Sequence, residues 1–375
     1  MFILEVARGC PTEEYPLYGI FEMDQARALK SAGHKVIFAA VDVRSIRRKR
    51  RFGVFKSEKD GIMVYNFSVP IGAADGIAKA VGRRGFELLL KKIIEDYGRP
   101  DIVHAHFSDV AAAVCRCCKK ENIPYVVTEH SSNVNQETIS SKFKAELCES
   151  YKNAAAVVAV SSALGHRIEK HTGVRPVVIP NIIDLSSFSV VGQPECKFRF
   201  ISAGNLKESK AFDVLIKAFA IVHKKRPDSK LLIMGSGAEE GRLKKLAEKE
   251  NIENSVQFFG AYSRNDFAEK LSSSDVFVLP SRSETFGVVY AEAMAAGRPV
   301  IATRCGGPED FVNEKCGMLV EIDDVSALSK TMLEVGKYSS EFDSDYISSY
   351  VRSRFSSDCI AAQLSALFLS IIKKA

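Results

Sequence analysis

Pro280-Ser-Arg-Ser-Glu284-Thr-Phe-Gly287-Val-Val-Tyr-Ala-Glu292-Ala-Met-Ala-Ala-Gly297-Arg-Pro299-Val300 reads as the end of a strand, a loop, a helix, a tight turn and a second strand. The run just before it, Asp275-Val-Phe-Val-Leu-Pro280, is short and apolar, the mark of a buried parallel strand. Ser283 and Thr285 are N-cap candidates for a helix over 286–296. Gly297 and Pro299 end that helix. Glu284 then lies in the loop before it, and Glu292 sits about two turns inside.

That spacing suits a diphosphate flanked by two sugars. Free backbone N–H groups of Phe286, Gly287 and Val288 can face phosphate at a helix N-terminus. A carboxylate is a poor phosphate ligand but accepts short charge-assisted bonds from sugar hydroxyls. One carboxylate on each side can read a transferred hexose and a ribose. The plainer alternative is a pair of solvated glutamates near a helix start, where negative charge is favourable anyway. The following Ala293 to Ala302 segment and Gly306-Gly307 weigh against it.

On these residues the chain resembles the retaining glycosyltransferases of family 4, of the type that assembles polysaccharides and lipid-linked glycans. The likeness extends over nearly the whole chain and is most specific over 277–307. It implies an α/β architecture of the GT-B kind, two Rossmann-like doubly wound domains facing across a cleft. It also implies that Glu284 contacts the donor sugar and that Glu292 holds the ribose hydroxyls.

The length of 375 residues favours two domains, and 46% hydrophobic with 26% charged residues is ordinary for a soluble globular protein. No apolar run in the sequence has the length of a membrane span. The start, Met1-Phe-Ile-Leu-Glu5-Val-Ala, is too short and acidic for a signal peptide and reads as a first strand. Nine scattered cysteines read as reduced cytosolic thiols; Cys115, Cys117 and Cys118 lack the paired spacing of a zinc site. The net charge of +6 is concentrated in Arg44, Arg47, Arg48, Lys49, Arg50, Arg51 and Lys56, interleaved with Phe52 and Phe55. Such a stretch suits an anionic membrane surface, or else is a solvated loop; nucleic acid is the weakest of the three readings. The expected location is cytoplasmic, peripheral at the inner face of the membrane.

Strands alternate with helices from 2 to 179 and again from 198, which predicts two parallel sheets with right-handed crossovers. The expected domains are 1–185 for the acceptor and 186–355 for the donor, with a linker over 180–197. A last helix over 358–374 carries Ile360, Leu364, Leu367, Phe368 and Ile371. The resemblance implies that 356–375 packs back toward the first domain; the alternative is a cap on the second.

The smaller motifs fit a nucleotide-sugar site. Gly204-Asn205-Leu206-Lys207-Glu208-Ser209-Lys210-Ala211 follows a strand and opens a helix, and Lys210 is the candidate to neutralise a diphosphate. The family usually has arginine at Asn205 and glycine at Ala211. Asparagine gives a neutral donor in place of a bidentate cation, so one leaving-group contact is missing, with Lys207 as a partial substitute. Gly235-Ser236-Gly237 resembles the family's turn near the nucleotide, and the segment ending in Tyr262 resembles the loop facing the base. In the first half, Gly19 can let backbone approach the donor or acceptor. His104 and His106 share one strand face. His130, in Thr128-Glu129-His130, matches the family histidine near the anomeric centre. No carboxylate cluster suggests a metal, and the resemblance implies that none is needed.

The expected catalytic residues are thus His130, Lys210 and Glu284, with Gly19, Gly204, Asn205, Gly235, Tyr262, Phe286, Gly287, Val288 and Glu292 binding the donor. The reaction implied is retaining transfer of a hexose from a nucleotide sugar, UDP before GDP-mannose, to a glycan or lipid-linked acceptor. An epimerase or a phosphorylase on the same fold and a non-catalytic nucleotide-sugar-binding protein are the competing readings; the departure at Asn205 motivates the last.

Overall fold

The computed structural model describes residues 1–16, 18–72, 75–190 and 198–374, without the side chains of 75 and 340. Leu17 and residues 191–197, the end of the expected linker, lie outside the described residues. The chain divides into two compact units, Met1–Ile182 with Ser357–Ala375, and Ile183–Ser356.

In the first unit, apolar runs form strands and amphipathic runs form the helices between them. They are β1 (Phe2–Ala7), α1 (Ile20–Ser31), β2 (Lys35–Asp42), β3 (Gly53–Lys59), β4 (Ile62–Ser68), α2 (Asp75–Tyr97), β5 (Ile102–His106), α3 (Ser108–Glu121), β6 (Tyr125–Glu129), α4 (Ser141–Lys152), β7 (Ala156–Ala159), α5 (Ser162–Thr172) and β8 (Val177–Val178). The sheet order is β3-β4-β2-β1-β5-β6-β7-β8. Every pairing is parallel except that of β3 with β4.

Of the seven cations of the basic stretch only Lys56 lies on a strand, the edge strand β3; Arg44 to Arg51 lie in the loop before it. The Arg50 side chain is 6% exposed, and its guanidinium bonds Asp42 at 2.9 Å and the carbonyls of Arg44, Ser45 and Val69. Arg44 pairs with Asp42 at 2.7 Å, and Lys56, on β3, pairs with Asp96 at 2.5 Å. Arg47, Arg48, Lys49 and Arg51 remain as exposed cations with no acidic partner among the described residues.

The second unit holds β9 (Arg199–Ala203), α6 (Phe212–Lys225), β10 (Lys230–Met234), α7 (Glu240–Lys249), β11 (Val256–Gly260), α8 (Arg264–Ser272), β12 (Val276–Leu279), α9 (Val288–Ala295), β13 (Val300–Thr303), β14 (Gly317–Val320), α10 (Val325–Tyr338) and α11 (Ser344–Phe355). Its sheet runs β11-β10-β9-β12-β13-β14 and is wholly parallel. The last helix, α12 (Ser357–Ile372), belongs to the first unit. Its Ile360, Leu364 and Phe368 enter a core with Ile3, Met23 and Leu29.

Among the described residues, the stretch Ser344–Ile372 is long and apolar enough to cross a membrane, which the sequence reading missed. Ser356, in extended conformation, breaks it into α11 and α12, and the apolar face of α12 is spent on the core.

Both sheets reverse strand order at one point: between β1 and β5 in the first unit, and between β9 and β12 in the second. Loops leaving the carboxyl ends of such neighbouring strands diverge and leave a crevice, the usual ligand site of an open α/β sheet.

Candidate active site

The second unit's switch point brings two predicted residues into contact. The loop after β9 carries Lys210 and the loop after β12 carries Glu284. Lys210 Nζ donates to Glu284 Oε1 at 2.5 Å, and Ser281 Oγ donates to the same oxygen at 2.8 Å. The Glu284 backbone is fixed as well. Its N–H donates to the carbonyl of Cys305 at 3.1 Å, and its carbonyl accepts from Gly307 N–H at 3.1 Å. Tyr290 of α9 anchors the strand end through its hydroxyl to the Leu279 carbonyl at 2.6 Å. Glu284 is 8% exposed and Ser281 fully buried, so the carboxylate is held in one place with little of it in water.

The helix after this loop starts later than expected. Gly287, with φ 95°, is the N-cap of α9, in place of Ser283 or Thr285, and no side chain caps it. A left-handed residue there suits glycine. The amides of Gly287 and Val288 find no acceptor among the described residues, so they stay available at a helix N-terminus. Glu292 is therefore the fifth residue of α9, little more than one turn in. Phe286 is buried against Phe311 and Phe355, so its ring is core and only its backbone can serve a ligand.

A second cluster forms round Glu292. Arg264 Nε donates to Glu292 Oε1 at 3.2 Å and its NH1 to Asp184 Oδ2 at 2.8 Å. Burial pushes the Glu292 carboxyl up to about 7, with Arg264 pulling the other way. Tyr262 packs on Phe267, and burial followed by the Glu292 charge raises its phenol. Tyr262 and Glu292 thus share one polar patch. Arg264 and Asp184 were missed in the sequence; the signal available was Ser263-Arg-Asn-Asp266, a capping box that opens α8 at Arg264.

The glycine loops meet backbone to backbone. Gly204 N–H donates to Met234 at 3.0 Å, and Gly235 N–H to Gly260 at 2.8 Å. A methyl group on Gly235 would lie 1.9 Å from the Gly204 carbonyl oxygen, so close loop packing already requires glycine there. Asn205 is exposed, as is Lys207. Ala211 caps α6 with φ 52° while fully buried. A left-handed alanine is strained by roughly 1–2 kcal/mol. Ala211→Gly is expected to stabilise the protein by about 1 kcal/mol in urea denaturation; no gain would mean that packing of the methyl group outweighs the strain.

In the first unit, the strand register places Glu5 beside His104 at the switch point. His104 Nδ1 lies 3.0 Å from Glu5 Oε1, His106 Nε2 2.8 Å from Glu5 Oε2, and His104 Nε2 2.7 Å from Thr128 Oγ1. His130 Nε2 lies 3.2 Å from His106 Nδ1. Burial alone would raise the Glu5 carboxyl, but His104 and His106 outweigh it and hold it at about 2. Burial, then the charge of His104, lowers His106 to about 4, against the pull of Glu5. His130 is pushed well down by burial and by His106.

These protonation states fix the direction of the chain. A carboxylate only accepts, so neutral His106 donates from Nε2 and accepts at Nδ1. His130 then donates from Nε2 and keeps its Nδ1 lone pair. That Nδ1 and Asn181 Oδ1 are both buried without a hydrogen bond among the described residues, and the Asn181 side chain pulls His130 against the lowering. The sequence reading set His104 and His106 on one face but missed their shared partner Glu5. These three ligand-type groups lie within 4.8 Å of one another, the spacing of a metal site, yet they are wholly buried and hydrogen-bonded to each other. Gly19, expected near donor or acceptor, caps α1 with φ 77°, and a methyl group there would lie 2.5 Å from the Gly9 carbonyl oxygen. Its glycine is accounted for by packing.

Two Rossmann-like units, each an open α/β sheet that reverses strand order at one point, define a GT-B α/β protein. Residues 23–187 match the model of "Glycosyltransferase Family 4" and residues 186–347 that of "Glycosyl transferases group 1". The chain belongs to family 4 of the GT-B glycosyltransferases. It is 39% identical over 133 residues to a GDP-mannose-dependent monoacylated alpha-(1-6)-phosphatidylinositol monomannoside mannosyltransferase of Corynebacterium glutamicum, a stretch covering 34% of each chain. It is 28% identical to a putative teichuronic acid biosynthesis glycosyltransferase of Bacillus subtilis, over 88% of each chain. The fold matches that of Anabaena HepE, solved with UDP and glucose, at a TM-score of 0.74 and 18% identity, covering 99% of this chain and all of that one.

Proposed function

We propose that the protein moves a hexose from a nucleotide sugar, with retention of configuration, onto a glycan or lipid-linked acceptor of cell-surface polysaccharide synthesis. The observation that carries this is the Lys210–Glu284–Ser281 cluster beside the uncapped start of α9. In it a cation and free amides can meet a diphosphate while a fixed carboxylate orients a sugar. A UDP-sugar is the favoured donor, supported by the fold shared with a protein solved with UDP and glucose. A second reading, GDP-mannose, is favoured by the name of the Corynebacterium relative.

In the reaction so read, Lys210 and the amides of Gly287 and Val288 take the charge of the departing diphosphate. The leaving phosphate takes the acceptor proton on the face where the new bond forms. Glu284 orients the sugar as it passes through an oxocarbenium-like state, and Glu292 holds the ribose. No step in this scheme uses a metal. The exposed Arg47, Arg48, Lys49 and Arg51 suit a peripheral position on an anionic membrane, at its cytoplasmic face.

A thermal-shift screen of UDP, GDP, ADP and their hexose conjugates tests the reading. A ligand at 100 times its Kd stabilises the fold by about 2.7 kcal/mol. One nucleotide sugar is expected to raise Tm, and Glu292→Ala to abolish the rise. No shift with any donor would favour a protein of this family that has lost its donor site, with Asn205 as the first suspect.

A further inference from the structure

The first unit holds a cavity of 620 Å³ above the carboxyl ends of β1, β2 and β5, within the usual range for a small-molecule site. Ser131, one residue past His130, lines it. One wall is apolar, with Val6, Val43, Phe86 and Phe143. The other carries Arg8, Arg44, Arg48 and Lys79, against the single acid Asp109.

The cations are held in place, but their charge is not cancelled. Arg8 pairs with Asp109 at 2.8 Å, and its guanidinium also lies 4.0 Å from the Phe107 ring centroid. Arg44 lies 3.6 Å from the Tyr18 ring centroid and shares Asp42 with Arg50. Lys79 pairs with Glu146 at 2.6 Å. Arg48 has no acidic partner among the described residues. Five cations therefore share three carboxylates around one cavity. Glu22 and Glu129 also lie near Arg8, and burial raises both carboxyls, that of Glu22 to about 7. The Nε/Nη2 edges of Arg8 and Arg44 face Asp109 and Asp42, which leaves their Nη1 donors for phosphate oxygens.

We infer that this cavity is the acceptor site and that the acceptor carries a phosphate group next to an apolar portion. The phosphate sits among Arg8, Arg44 and Arg48, and the apolar part lies along Val6, Val43 and Phe143. A neutral oligosaccharide would leave two positive charges uncompensated in a half-enclosed site. The inference rests on the transfer reaction proposed above and on the expectation from sequence that the first domain binds the acceptor.

Calorimetric titration of the full chain, with saturating UDP present, tests it using sn-glycerol 3-phosphate and glycerol. Sedimentation with phosphatidylglycerol-containing and pure phosphatidylcholine vesicles forms the second arm. Saturable binding of glycerol 3-phosphate but not glycerol is expected, weakened about tenfold by Arg48→Ser, an exposed change that spares the fold. If only the phosphatidylglycerol vesicles bind, with the same loss in Arg48→Ser, the phosphate is lipid-borne and the inference stands. Absence of binding in both arms, or binding indifferent to Arg48→Ser, overturns it. A separate titration of the full chain with UDP alone decides the donor reading independently.

Discussion

Glu284→Gln is expected to lower transfer by about 10²–10³-fold, the usual cost of losing one preorganised electrostatic contact at a transition state. The change is nearly isosteric. Ser281 Oγ can still donate to the amide oxygen, and the backbone bonds to Cys305 and Gly307 do not involve the side chain. What is lost is the negative charge that holds Lys210 and accepts sugar hydroxyls. Stability should fall by only about 1–2 kcal/mol, the price of one charge-assisted hydrogen bond in a largely buried site. The effect should appear in kcat at saturating donor, with Tm close to that of the parent. Unchanged turnover with a correctly folded variant would remove Glu284 from the site, and with it the reading of the loop after β12.

Glu5→Ala is expected to produce the largest loss of stability of any single change considered. It strands His104 Nδ1 and His106 Nε2 in a site with no water access. Leaving a buried donor unsatisfied costs about 1–3 kcal/mol for each group. Glu5→Gln, which retains hydrogen-bonding capacity, should cost markedly less in urea denaturation. Equal losses for the two variants would show that side-chain volume, not the polar network, matters here.

The same network sets an acid limit. His106 is lowered from its ordinary 6.5 to about 4, so the unfolded chain binds its proton first. Its stabilisation is complete above 6.5 and disappears as pH falls to 4. Glu5, lowered from 4.5 to about 2, loses its contribution over that further interval. Glu22 and Glu292, both raised to about 7, act in the opposite sense between 4.5 and 7 and mask part of the slope. The difference between the parent and His106→Gln removes their contribution. Its Tm gap should narrow from pH 6.5 to 4; a constant gap would contradict a buried neutral His106.

Much of this protein is legible because its local signals agree with its fold. Apolar runs such as Val276–Leu279 and Ile102–His106 can only be strands buried on both faces. The polar edge strand Gly53–Lys59 has no such run, which is why it reads as part of a basic loop. The start of α9 was misplaced because Ser283 and Thr285 carry capping chemistry, whereas a left-handed Gly287 makes the turn. Helix α4, short and mostly polar, depends on packing against neighbours and leaves little periodic trace.

Spacing along the chain determined that Glu284 precedes a helix start and that His104 and His106 share a strand face. The sequence by itself thus determined the fold class, the family and the residue types at the donor loops. Partnership was decided only by tertiary structure. Lys210 meets Glu284 across 74 positions, and Glu5 meets His104 across 99. Those contacts arise because β9 lies beside β12 and β1 beside β5, and crossover order in a parallel sheet is a long-range property. The same adjacency gathers the arginines of distant loops around one cavity, which a run of basic residues in sequence does not reveal.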